Sequence, residues 1–156
     1  MKRSVVVLSF FVLLAVPMLL AAERPETESY APGLGEFMTM TQVRHAKLWF
    51  AGEEKNWSLA NYEIDEIKEG LEDASKLHPI HDGFPVADMI KAATEAPLEL
   101  LSKSVEAKSR ADFTTAFDKL TAGCNTCHAG VKHAFIEIKR PTAPPLSNQA
   151  FITSGN

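Results

Sequence analysis

Cysteine is scarce in this sequence: only Cys124 and Cys127 occur among 156 residues. That number is too small for the disulfide framework on which many short secreted folds depend. Basic residues are also in the minority, 16 against 20 acidic ones, which disfavours nucleic-acid binding by neutralisation of phosphates. No internal repeat is visible, and no stretch alternates convincingly between apolar and polar residues as a half-buried strand would. The length suffices for one domain with its own hydrophobic core.

The longest apolar run lies at the start of the chain. After a short basic start, residues 4–20 are almost wholly apolar, and charged residues resume at Glu23. This order predicts a secretory signal peptide over residues 1–22. A retained N-terminal anchor is the alternative, because the run is close to the shortest that spans a bilayer. Loss of residues 1–22 would remove two basic residues and change the formal charge from −4 to −6. Residues 23–33 are predicted to be a linker.

Apolar side chains recur every three or four residues over most of residues 34–138, which is typical of helices that pack on one face. Breaks rich in glycine, proline and charge divide this region into four parts. The predicted helices cover about 34–51, a stretch capped by Asn56, about 86–107, and a stretch capped by Ser109. Four amphipathic helices with short connections predict an all-α fold, an antiparallel four-helix bundle. A less regular all-α fold and an obligate dimer of bundles are the alternatives.

The spacing also predicts which side chains face the core. In the first helix the inward series is Leu34, Met38, Thr41, His45 and Leu48. In the second helix, charged residues between the inward positions predict a solvated acidic face, made of Glu63, Asp65, Glu66, Lys68, Glu69, Glu72 and Asp73. In the third helix the inward series is Val86, Ile90, Ala93, Pro97, Leu100 and Ser104. Pro97 is expected to kink or split that helix, since proline removes a backbone donor. The prolines after Ile138 predict an irregular tail over residues 139–156.

The stretch AGCNTCHAG, residues 122–130, holds both thiols three residues apart, with an imidazole directly after the second. Cys124, Cys127 and His128 form the pattern of covalent haem attachment. The two cysteines continue the inward series of the last helix, which begins at Phe113. The core of a helix bundle can hold a flat apolar cofactor between facing helices.

Two other readings of the two cysteines are weaker. A thioredoxin-like dithiol follows a strand in a βαβ pattern, and no strand is predicted here. A zinc site needs four ligands, and the nearby donors are Cys124, Cys127, His128 and His133. Because Cys127 and His128 are adjacent in sequence, their joint coordination of one tetrahedral ion is awkward. Haem attachment therefore accounts for more of the pattern than either alternative.

A four-helix chain with an export signal and Cys124-Asn125-Thr126-Cys127-His128 late in its last helix resembles the class II c-type cytochromes, which include cytochrome c′. The resemblance covers about residues 34–134. The segment QVRHAKLWFAG, residues 42–52, is also similar to bacterial haem-binding proteins to which no activity is attached. The tail after Ile138 and the internal Pro97 depart from the family pattern.

The resemblance implies one covalent haem c, attached through thioethers of Cys124 and Cys127, with His128 as the proximal ligand of the iron. It also implies a periplasmic location, because haem is attached to these proteins outside the bacterial cytoplasm. Arg44 is a possible contact for a haem propionate. Dimerisation is common in the family, so a homodimer is a further expectation.

Helix lengths indicate which residue faces the iron from the distal side. In an up-down-up-down bundle, His128 lies roughly 27 Å along the last helix, and the antiparallel first helix reaches that level near its start. Met38 lies at this level on the inward series, and low-spin members of the family bind iron through a methionine on this helix. Met38 is therefore the preferred distal ligand. The alternatives are an open distal site, His45, Met40, and His78 or His81 of the second connection.

The distal side decides the predicted function. With His128 and Met38 both bound, the protein would carry single electrons between periplasmic or membrane-bound redox partners. With an open distal face it would bind a small gas, NO or CO, as cytochrome c′ does. A zinc-binding structural module is a remote third prediction. The sequence shows no nucleophile–base pair, no phosphate loop and no acid pair of stated geometry, so an enzyme is not expected.

Overall fold

The computed structural model describes residues 30–152. The predicted signal peptide, most of the predicted linker and the last four residues of the predicted tail lie outside this range. Four helices make up the fold, α1 (Leu34–Glu53), α2 (Trp57–Leu77), α3 (Val86–Glu106) and α4 (Arg110–Gly130). The part of the chain described contains no strand, and none of its helices has the length and apolarity needed to cross a membrane. The predicted all-α four-helix bundle is confirmed.

The helices begin where the sequence supplies caps. The side chain of Asn56 accepts a hydrogen bond from the backbone nitrogen of Leu59 at 3.2 Å, and Ser109 accepts one from Asp112 at 3.4 Å. Both caps satisfy backbone donors that the first turn of a helix leaves unpaired. The longer connection, residues 78–85, turns sharply at Asp82 and Gly83, which both have positive φ.

The first and last helices run antiparallel. At one end of the bundle, Arg110 at the start of α4 pairs with Glu53 at the end of α1, with Nη2 2.6 Å from Oε2. At the other end, Met38 near the start of α1 and His128 near the end of α4 line the same cavities. Of the neighbouring helix pairs, α1 and α4 pack least closely, so the bundle is most open along this seam.

The core contains apolar side chains from all four helices, with Phe113, Phe117, Leu48, Ile64, Ile67, Leu101 and Leu120 among the largest fully buried ones. In α3 the predicted inward series holds at Val86, Ile90 and Ser104, which are buried, but it is wrong at Leu100. Thr94, Leu98 and Leu101 are buried, whereas Leu100 is 39% exposed. Because α3 packs against both α2 and α4, two neighbours decide which part of a broad apolar stripe lies deepest. Helix α3 also continues through Pro97 as a single helix, so the proline does not split it.

Glu63 does not belong to the solvated face of α2, and its prediction there is wrong. Its side chain is fully buried against two cations from α1. Nζ of Lys47 lies 2.7 Å from Oε1, and Nη1 of Arg44 lies 3.3 Å from Oε2. The two positive charges offset the cost of burying the carboxylate.

After α4 the chain runs without a helix from residue 131 to residue 152, here called the C-terminal segment. It extends along the open seam between α1 and α4. Arg140 forms a two-pronged ion pair with Asp118 of α4, and its guanidinium lies 4.8 Å from the ring centroid of Trp49 of α1. Further along, Phe151 is buried against Phe50, at 5.5 Å between ring centroids. The segment therefore contacts both helices of the least closely packed pair.

Candidate functional site

Two adjoining cavities lie at the end of the bundle where α4 ends. The larger has a volume of about 420 Å³, within the range of cofactor and ligand sites. The smaller, of about 50 Å³, lies deeper toward the core. Six residues line both cavities: Met38, Gln42, Ile90, Cys127, His128 and Ile138. The cysteines of the motif thus face a space between α1, α3 and α4 rather than solvent.

A close approach of α4 to α3 positions this motif. A Cβ atom built on Gly123 would lie 2.2 Å from the carbonyl oxygen of Ala93, which only glycine avoids. Ala93 is four residues before Pro97, and proline has no N–H to donate to that carbonyl. The freed carbonyl therefore faces the backbone of α4 directly. Gly123 immediately precedes Cys124, so the contact fixes the depth of the first thiol.

Both thiols are half-buried, and neither forms a disulfide. Burial raises the pKa of Cys124 to about 11, with the neighbouring Cys127 as a smaller cause. Burial also raises the pKa of Cys127. Reactive redox thiols have lowered pKa values, because the thiolate is the attacking species. The environment of the two cysteines therefore gives no support to a thioredoxin-like dithiol.

The ring of His128 is held by the C-terminal segment. Its Nδ1 lies 2.9 Å from the carbonyl oxygen of Ile136. Because a carbonyl can only accept, Nδ1 must carry the proton and donate it. The lone pair of the ring then lies on Nε2. Histidines that bind metals almost always donate their other ring N–H to a carbonyl, carboxylate or water. This hydrogen bond leaves Nε2 as the nitrogen of His128 through which a metal could be bound.

The second residue of the motif also contacts the C-terminal segment. The side-chain amide of Asn125 donates from Nδ2 to the carbonyl oxygen of Ile138 at 2.8 Å. Its Oδ1 accepts from the backbone nitrogen of Ile138 at 2.7 Å. Ile138 in turn lines both cavities. The segment thus forms part of the cavity wall.

Met38 and His45 both reach the cavities, at different depths. Met38 lines both of them, and His45 lines only the smaller one. Nε2 of His45 lies 2.9 Å from Oγ1 of Thr121, whose own proton is donated to the carbonyl of Phe117. His45 is therefore the donor to Thr121. Its ring packs on Phe117 with 4.2 Å between centroids, and burial lowers its pKa to about 4.

The remaining distal candidates lie further away or at the rim. Met40 is 54% exposed and lines neither cavity. His78 donates to the carbonyl oxygen of Pro32 at 2.9 Å. His81 lines the larger cavity only, as does His133, which the sequence predicts as a zinc donor and not as a distal ligand. The connection that carries His78 and His81 thus lies at the cavity end of the bundle.

Arg44 contacts neither cavity. Its guanidinium pairs with Glu63, and with Glu66 at 2.7 Å, and it lies 5.6 Å from the ring centroid of Tyr62. These contacts hold the guanidinium of Arg44 between α1 and α2. The propionate contact for Arg44 stays a prediction from the sequence.

Within residues 30–152, no group of three or more histidine, cysteine, aspartate or glutamate side chains is placed to hold a metal ion. A structural zinc site requires four such ligands around one ion. The arrangement of Cys124, Cys127, His128 and His133 therefore gives no support to a zinc module.

Comparisons with protein-family models, with curated proteins and with solved structures find no match for this chain.

Among the contributors to the site that the sequence did not predict are Asn125, Thr121 and the backbone of Ile136. Asn125 is one of the two variable residues between the cysteines, and the residue type at that position does not by itself predict a contact. Thr121 precedes Cys124 by three residues, one turn of helix, which could have marked it as a neighbour of the inward face. The carbonyl of Ile136 has no sequence signal, because any residue supplies one.

Proposed function

We propose that the protein is a c-type cytochrome that binds one covalent haem between α1 and α4 and carries single electrons in the periplasm. The observation that carries this proposal is the state of His128. Its Nδ1 donates to a backbone carbonyl, which leaves Nε2 free. His128 also lines the larger cavity together with Cys127 and Met38. That combination supplies a proximal ligand, a thiol anchor and a candidate distal ligand at one place.

The residues around the cavities suit a flat apolar cofactor. The walls of the smaller cavity are mainly aliphatic, from Ile67, Leu71, Ile90, Leu120 and Ile138. The looser packing of α1 against α4 provides a slot between them. Haem bound there would supply an iron that takes up and releases one electron.

Each residue of the site has a separate task in this proposal. Cys124 and Cys127 hold the cofactor through thioether bonds. His128 would bind the iron through Nε2, and Met38 would supply a second protein ligand through its thioether sulfur. The aliphatic side chains of the smaller cavity would limit contact between the haem and water, which favours a high reduction potential as methionine ligation does. These are the requirements of an electron carrier, whose ligands must not change during transfer.

The surface suits brief contact with redox proteins. The exposed face of α2 carries acidic side chains, among them Asp65, Glu69, Glu72 and Asp73. Opposite charge on a partner accelerates encounter and makes it sensitive to salt. A periplasmic or membrane-bound partner with a basic docking face fits this proposal.

A visible absorption spectrum tests the function. The exported protein, produced together with a haem-attachment system, is measured oxidised and reduced, with and without carbon monoxide. We expect low-spin bands that carbon monoxide leaves unchanged. A high-spin spectrum that shifts with the gas would replace the electron carrier with a gas-binding protein of the cytochrome c′ type. The absence of haem bands would contradict both.

A further inference from the structure

We propose that Asn125 is a positioning residue for His128 and that it acts through the C-terminal segment. The inference rests on the proposed function, because it concerns the proximal ligand of the haem. Asn125 holds the backbone of Ile138, and Ile138 is two residues from the carbonyl that accepts the His128 proton. The loop that follows the motif in the sequence therefore supports the ring of His128.

The loop begins with a reversal at the end of α4. Lys132 has a φ of 64°, the left-handed conformation that ends many helices. The backbone nitrogen of His133 then donates to the carbonyl of His128 at 2.7 Å, and that of Ile136 donates to His133 at 2.9 Å. These bonds direct the chain back along α4, so that residue 136 returns to the level of residue 128.

Asn125 fixes the part of the loop that runs back along α4. An amide side chain has one acceptor group and one donor group, and here both are used on a single residue, Ile138. Two backbones pair through the same combination of one donor and one acceptor in a β-ladder. Loss of the side chain would leave an N–H and a carbonyl of Ile138 without their partner, both in a half-buried position.

Side-chain packing does little to hold this part of the loop. Phe135 is 79% exposed and Ile136 is 42% exposed. The ion pair of Arg140 with Asp118 lies further along the segment. Of the contacts that follow Ile136 in the chain, the two hydrogen bonds between Asn125 and Ile138 are the nearest to the carbonyl that accepts from His128.

The hydrogen bond to Nδ1 does two things for the proximal ligand. It fixes the tautomer and the rotation of the ring, which leaves Nε2 as the nitrogen that can bind a metal. It also makes the imidazole a more basic ligand, which stabilises ferric over ferrous iron and lowers the reduction potential. Loss of the hydrogen bonds between Asn125 and Ile138 should therefore raise the reduction potential. The haem should stay bound, since the thioethers of Cys124 and Cys127 are unchanged.

The test compares Asn125→Ala with Thr126→Ala in the full-length protein. Thr126 is the other variable residue of the motif, and its hydroxyl bonds only to the carbonyl of Ala122 within α4. Two quantities are measured: the reduction potential of the haem, and the exchange rate of the His128 Nδ1 proton by NMR of the reduced protein. We expect Asn125→Ala to raise the potential and accelerate exchange at least tenfold, and Thr126→Ala to leave both unchanged.

Asn125→Asp is a further variant, which keeps one of the two hydrogen bonds to Ile138. The carboxylate can still accept from the nitrogen of Ile138 but cannot donate to its carbonyl. Its proton exchange should lie between those of the wild type and the alanine variant. Exchange and potential at wild-type values in Asn125→Ala would overturn the inference. Equal changes in Thr126→Ala would overturn it too, because the motif would then respond to any truncation.

The two proposals fail differently. If the wild-type protein carries no haem, the same ring-proton measurement is made on the haem-free full chain. Faster exchange in Asn125→Ala would then support the positioning of His128 while the proposed function is contradicted. A wild-type protein with haem and an unaffected alanine variant would leave the function standing and contradict the positioning role.

Discussion

Gly123 of α4 faces the carbonyl oxygen of Ala93 of α3 so closely that a Cβ atom would lie 2.2 Å from that oxygen. The first prediction follows from this contact. In Gly123→Ala the two helices must move apart, because the clash is with backbone and no flexible side chain can yield. We expect a loss of about 1–3 kcal/mol in the free energy of unfolding by urea.

Gly35 is the matched control for that substitution. It also lies in a helix, but a Cβ built there meets nothing within 4 Å. Alanine should therefore stabilise α1 slightly, by up to about 1 kcal/mol, through its higher helix propensity. Equal effects of Gly35→Ala and Gly123→Ala would show that the close contact with Ala93 has no energetic weight.

The second prediction concerns the buried carboxylate of Glu63. In Glu63→Gln, Lys47 keeps its charge but loses its anion, whereas Arg44 keeps its ion pair with Glu66. Leaving buried charge uncompensated should cost about 3 kcal/mol of stability. Glu69, exposed on the same helix, gives the control, and Glu69→Gln should change stability by less than about 0.5 kcal/mol. A thermal or urea unfolding series that finds both variants alike would refute the role of the buried pair.

The third prediction is a pH dependence that originates at His45. Burial lowers its pKa from 6.5 to about 4, so between these values the unfolded chain binds a proton that the folded chain does not. Stability therefore falls as the pH is lowered from about 6.5 to about 4. Between pH 7 and pH 4.5 the loss due to this residue should be about 2–3 kcal/mol.

Comparison with His45→Gln isolates that contribution, since the carboxylates of the protein titrate in both chains. Urea unfolding at the two pH values should show a smaller loss for the variant than for the wild type. The same loss in both would mean that His45 is not the group responsible.

The fourth prediction tests the distal ligand of the proposed haem. Met38 lines both cavities, whereas Met40, two residues away, is 54% exposed and lines neither. Met38→Ala should convert a low-spin spectrum into a high-spin one that responds to carbon monoxide. Met40→Ala should leave the spectrum unchanged. If Met38→Ala has no effect, His45 becomes the next residue to replace, because it lines the smaller cavity.

The helices were predictable because their signals are local. Asn56 and Ser109 cap helices where the sequence indicated, and periodic apolar residues define what lies between. The approximate meeting of Met38 with His128 also followed from helix lengths alone, since a bundle with short connections leaves few arrangements.

What sequence reasoning missed depends on partners far apart in the chain. Glu63 resembles its solvated neighbours in every local respect, and only the two cations of α1 explain its burial. The register of α3 depends on two packed neighbours at once. Asn125 recognises backbone atoms of Ile138, and backbone atoms carry no sequence information.

The C-terminal segment has a consequence for access to the two thiols. Asn125 and His128 both bind backbone atoms of this segment, and its residue Ile138 forms part of the wall of both cavities. With the segment in place, Cys124 and Cys127 are half-buried and their pKa values are raised. Under the proposed function, a haem-attachment enzyme would therefore have to reach the thiols before the segment docks against α4.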